Sequence, residues 1–104
     1  GPSWEGFVLG EVAAHLPEGA QLGFYRTAAG AEMDIVVQAG RRSLGVEVKF
    51  SSAPTVTKGF WHAREDLQPT RTVVVAPVER RYPLKDGVEV APVGAIAELL
   101  AELG

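Results

Sequence analysis

Between Ala31 and Ser51 apolar and polar side chains alternate on both sides of Gly40 and Arg41, a period-two pattern that a β-hairpin satisfies and a helix does not. In the first arm Met33, Ile35 and Val37 share one face, while Glu32, Asp34, Val36 and Gln38 share the other. In the second, Leu44, Val46, Val48 and Phe50 stand opposite Ser43, Gly45, Glu47, Lys49 and Ser51. Gly40 suits the first central position of a two-residue type II′ turn, which sets Asp34 against Glu47 and Glu32 against Lys49. A three-residue turn would slip the register by one and mix charged with apolar side chains on each face. The expectation is one apolar face and one ionic face.

The rest of the chain is legible around this hairpin. From Trp4 to Leu16 the apolar side chains Trp4, Val8, Val12 and Leu16 recur every four residues, the stripe of an amphipathic helix ended by Pro17 and Gly19. Gly6 and Gly10 lie off that stripe. Each costs about 1 kcal/mol relative to alanine, which predicts close packing there. Leu22 to Ala28 reads as a strand preceding the hairpin arms at 31–39 and 43–51. A loop at 52–57 leads to a helix over 58–67 with Phe60, Ala63 and Leu67 on one side. Thr72 to Ala76 is continuously apolar, as in a strand buried on both faces. Residues 77–87 read as a charged loop with a Lys85, Asp86, Gly87 turn, followed by a short strand at Val88 to Ala91 and a helix bearing Ile96, Leu99, Leu100 and Leu103. The order αβββαββα predicts a mixed-sheet α/β domain.

Opposed residues of an antiparallel pair hold their Cβ atoms about 4.5–5.5 Å apart, so Asp34 against Glu47 is a repulsive pair whose sign a divalent cation would reverse. Hard carboxylate oxygens at that separation suit Mg²⁺ or Mn²⁺. Lys49, on the same face as Glu47, adds a cation able to orient a water or steady a developing phosphorane. On the pattern alone the same residues also read as a solvated charged face, with Glu32 and Lys49 a surface pair worth under about 1 kcal/mol.

Glu5 lies between Val12 and Leu16 on the helical wheel. Two placements follow for it: coreward, where a carboxylate needs a partner, or outward in the first turn, where the helix dipole favours acids. Glu11 and His15, one helical turn apart, read as a local hydrogen-bonded pair rather than a second metal site. Arg41, Arg42, Lys58, His62 and Arg64 are candidates for a basic rim, and Trp61 and Phe60 for base stacking, with core packing the better reading for Phe60.

Taken in order, Trp4-Glu5-Gly6-Phe7, Phe24-Tyr25-Arg26, Gly30-Ala31-Glu32-Met33-Asp34 and Val46-Glu47-Val48-Lys49 resemble the PD-(D/E)XK nuclease-like superfamily, whose fold is restriction-endonuclease-like. More closely, the chain looks like the domain of unknown function found at the C-terminus of AAA-type ATPases. Met33 stands where the motif has Pro. The resemblance implies that Asp34 and Glu47 ligate Mg²⁺ or Mn²⁺, that Lys49 assists the attacking water, and that Glu5 completes the metal site, with Glu32 in support. It also implies a DNA phosphodiesterase, nuclease or resolvase-like and acting on structured or branched DNA, joined to an ATPase domain N-terminal to it in the natural chain, or the same fold kept as a non-catalytic recognition or self-association module.

Composition narrows the remaining classes. With no cysteine in 104 residues, disulfide frameworks, thiolate zinc sites and cysteine nucleophiles drop out, and a cytoplasmic location is expected. No apolar run approaches the ~20 residues of a membrane span, and no leader-like segment opens the chain. Gly1, Pro2 and Ser3 resemble a protease-cleavage remnant, leaving 4–104 as one domain. Ten basic against thirteen acidic residues, a net charge of -3, argue against salt-driven wrapping of nucleic acid without a local basic patch.

Overall fold

The computed structural model describes residues 3–104; Gly1 and Pro2, two of the three residues of the expected remnant, lie outside the described residues. Ser3 is the N-cap of α1 (Trp4–Ala14), its hydroxyl accepting from the Gly6 amide at 2.9 Å. Three strands follow in a meander, β1 (Gln21–Arg26), β2 (Glu32–Ala39) and β3 (Arg42–Val48). Helix α2 (Lys58–Leu67), capped by Thr57, crosses to β4 (Arg71–Val75); β5 (Tyr82–Lys85), β6 (Val88–Ala91), a 3₁₀ turn over 93–95 and α3 (Ile96–Ala101) complete the chain. Among the described residues six strands form one mixed sheet in the order β1-β2-β3-β4-β6-β5, with β3, β4 and β6 parallel. Its two edges are β1 and β5.

The sheet is covered on both sides. Val8 and Val12 of α1 and Ile96, Leu99 and Leu100 of α3 pack with Ile35, Val37, Leu44, Val46, Val73 and Val75. On the opposite side Phe60 and Ala63 of α2 pack with Met33, Val74, Val88 and Val90. The stripe of α1 and the continuous burial of Thr72 to Ala76 follow the sequence expectation. No helix among the described residues is long and apolar enough to cross a membrane.

The hairpin register is the expected one, running from Ala39↔Arg42 to Ile35↔Val46. Gly40 has φ +63° and Arg41 is not in the left-handed region, as a type II′ turn requires. The faces depart from expectation. Between the pairs Gly23↔Val36 and Tyr25↔Met33 lies one residue of β1, Phe24, but two of β2, Asp34 and Ile35. This β-bulge changes the phase of β2, so Met33 packs with Val36 beneath α2 rather than with Ile35 and Val37. The expected ionic face is therefore the floor of a second apolar core.

Other expectations are corrected. The observed order is αβββαβββα, because Tyr82–Lys85 forms a strand where a charged loop was expected. Asp86 and Gly87, at φ +48° and +81°, close it onto β6 in a tight turn of the type I′ kind. Arg81, just before β5, grips Glu89 of β6 at 2.9 and 2.6 Å, and this pairing holds the Glu89 carboxyl below its usual range. Gly6 and Gly10 do not mark close packing: a Cβ at Gly10 would meet nothing within 4 Å, and one at Gly6 only the Ser3 hydroxyl. Strand β3 ends at Val48, and Phe50, expected on the apolar face, is 79% exposed.

Close packing occurs instead at Gly59, where a Cβ would overlap the carbonyl oxygen of Gly30 in the loop entering β2. Gly59→Ala is expected to push α2 off the sheet and lower stability by about 2 kcal/mol, the ordinary cost of overpacking against a backbone that cannot yield. Urea unfolding of the variant against wild type measures it.

Candidate functional site

The parallel strands β3 and β4 end side by side, Val48 opposite Val75, and the Lys49 amide continues the ladder by donating to the Val75 carbonyl at 3.0 Å. In open α/β sheets, the crevice beyond the carboxyl ends of such strands is where ligands bind. Asp34, Glu47 and Lys49 converge there. Asp34, which lies in the bulge of β2, stands at this end, and its Oδ2 accepts from the Val48 amide at 2.8 Å. The Asp34 amide in turn donates to Glu47 Oε1 at 3.4 Å. Lys49 Nζ stands 3.7 Å from Glu47 Oε2, its side chain still 30% exposed.

Glu47 is the unusual member. It is 4% exposed, lies over Val74 and has α2 on its side of the sheet. Loss of hydration, then the neighbouring Asp34 carboxylate, push its carboxyl up to about 7, against the opposing pull of Lys49. Near neutral pH the pair therefore holds a proton that a divalent cation could replace. The donor set fits a hard cation: two carboxylates held at one strand end by two backbone amides, with coordination positions left for water or phosphate oxygens, as Mg²⁺ prefers.

Glu5 is exposed in the first turn of α1, so its coreward placement does not occur, and the exposed end of the helix serves it instead. Glu32 contacts Arg26 at 3.3 Å rather than Lys49, because the β2–β3 ladder ends at Ile35↔Val46. Among the described residues no group of three His, Asp or Glu side chains converges. His15 and Glu11 approach only to 3.7 Å, longer than the hydrogen bond expected of them. Arg41 and Arg42 belong to the hairpin turn six residues from Asp34, about 20 Å along a strand, and so rim the opposite end of the sheet. Arg42 is bonded there to the Glu102 carbonyl, and Arg64 to the Asp86 carbonyl. Phe60 is fully buried in the core, whereas Trp61 is half-buried beside Arg64 and Lys85. The bulge and the two backbone amides went unread in the sequence, since neither leaves a side-chain signal.

A family model described as "Domain of unknown function (DUF4143)" matches residues 1–96. Two curated relatives, "Uncharacterized protein Rv2008c" of Mycobacterium tuberculosis and "Uncharacterized protein Mb2031c" of Mycobacterium bovis, are each 40% identical over 109 residues, covering 99% of this chain. The chain spans 24% of the length of each. It belongs to the DUF4143 family.

Proposed function

We propose that this DUF4143 domain is a restriction-endonuclease-like domain of the PD-(D/E)XK kind that hydrolyses phosphodiester bonds in DNA, within a larger chain that also carries an AAA-type ATPase domain. The observation that carries this reading is the buried Glu47 beside Asp34, with Lys49 in contact at the carboxyl ends of β3 and β4. Asp34 and Glu47 would hold a Mg²⁺ or Mn²⁺, which when bound lowers the pKa of a water and neutralises charge on the leaving oxygen. Lys49 orients the attacking water and steadies charge on the phosphorane oxygens. The Val48 and Asp34 amides fix the carboxylates, so little reorganisation is needed when the phosphate arrives. The span of 24% of each mycobacterial relative supports a domain of a longer protein.

One observation favours a second reading, a non-catalytic module of the same fold. Glu5, which the family resemblance assigns to the metal, is exposed, leaving two carboxylates together. Titration calorimetry with Mn²⁺ decides between them. Wild type is expected to bind, and Asp34→Asn to lose about tenfold or more in affinity, having lost one of two anionic ligands. Assays on duplex, single-stranded and four-way-junction DNA then test cleavage. No heat of binding from a folded wild-type domain would leave the module reading standing.

A further inference from the structure

Immediately after Lys49 the chain exposes an aromatic surface. The Trp4 ring lies 5.8 Å from Phe50 and 5.9 Å from Phe7, tilted by 35° and 41°. Phe50 is 79% and Phe7 50% exposed, while Trp4 is anchored from below against the core of α1 and α3. The three rings and Ser3 line an open cavity of about 520 Å³, within the ~300–1,000 Å³ range of small-ligand sites.

We propose that Trp4, Phe7 and Phe50 form a stacking platform for an unpaired base of single-stranded DNA whose backbone passes the Asp34, Glu47 and Lys49 site. This rests on the phosphodiesterase reading and gives it a substrate class. Size selects the occupant. An aromatic side chain presents about 150–250 Å², so these rings offer about 200–300 Å² of open surface, far below the ~800 Å² per partner of a stable protein interface. That area matches one or two flat heterocycles. The rings touch one another, their centroids 5.8 and 5.9 Å apart, so a base lies across their open faces rather than between them. Stacking also suits a chain of net charge -3, because every base has a π-face and the contact needs no basic patch. Duplex DNA, with its bases stacked on one another, has none to offer except at ends and distortions.

The test uses Trp61→Phe as background, which leaves Trp4 as the sole tryptophan. With EDTA present to prevent cutting, a twelve-nucleotide thymidine strand is expected to quench Trp4 fluorescence. Phe50→Ala should weaken binding about tenfold, and Phe7→Ala less. A strand of abasic sites, with the same phosphates and no bases, should leave the fluorescence unchanged. Equal binding of the abasic strand, indifference to Phe50→Ala, or a Trp4 signal that follows protein concentration without DNA would each overturn the proposal, the last pointing to a second copy of the chain. Binding that depends on Phe50 without cleavage under any divalent metal would uphold the platform and remove the phosphodiesterase reading alone.

Discussion

Lys49→Ala is expected to slow metal-dependent DNA cleavage by about 10³-fold, the usual worth of one cation placed where charge develops in a transition state. Its affinity for Mn²⁺ should stay within about threefold, since an ammonium ligates no metal and stands beside the carboxylates. The split between rate and affinity separates an acting lysine from one that merely neutralises. A second effect follows from the 3.7 Å contact with Glu47. Lys49 opposes the rise in the Glu47 pKa, so removing it pushes that group higher still, and the acid limb of the pH–rate profile moves to higher pH. Lys49→Arg keeps the charge and should restore the acid limb more fully than the rate. Cleavage by Lys49→Ala at the wild-type rate would remove the lysine from the mechanism.

Glu47→Gln is expected to stabilise the domain at pH 8 by up to about 3 kcal/mol while abolishing metal binding. The sign follows from the direction of the shift. The folded carboxyl is pushed up to about 7 from its ordinary 4.5, so between those values the folded state holds a proton that the unfolded chain has released. Stability is therefore full below pH 4.5, falls as pH rises through that window, and stays reduced above 7. At 1.36 kcal/mol per pH unit, the gap sets the limit of about 3 kcal/mol. Glutamine mimics the protonated acid and removes the dependence. Urea midpoints at pH 4 and pH 8 measure it: the variant and wild type should agree at pH 4 and part at pH 8. Millimolar Mn²⁺ should close the difference from the wild-type side only, because it binds the folded acid pair. An equal offset at both pH values would mean that Glu47 is not titrating in this range.

Much of this arrangement is legible in the residue order. Alternation around Gly40 and Arg41 sets the β2–β3 register, which the observed pairing keeps. It brings Asp34 and Glu47 to one strand end. Alternation says which side chains share a face, however, and not what covers that face. Phe60 and Ala63 marked α2 as amphipathic, yet only the tertiary structure puts α2 on the Glu47 side of the sheet and leaves that carboxyl 4% exposed. The bulge is silent for a different reason. It is a mismatch between two strands, and neither Asp34 nor Ile35 differs in type from a residue in a regular ladder. Strand β5 was hidden by its own composition, Tyr-Pro-Leu-Lys, whose proline and lysine belong to edges rather than interiors. Asp86 and Gly87 carried the missing signal, since a turn of that kind requires a strand on each side. For Glu5 the wheel placed the α-carbon correctly but left a long side chain at a helix end free to reach water.

The two margins of the sheet are unequally defended. On β5, Pro83 has no amide hydrogen to offer and Lys85 adds charge, so a foreign chain finds poor purchase there. On β1 the outward backbone groups run past Leu22 and Phe24, both open to water, with no proline between Gln21 and Arg26. Aggregation on concentration is expected to start from that margin, and Phe24→Lys to suppress it.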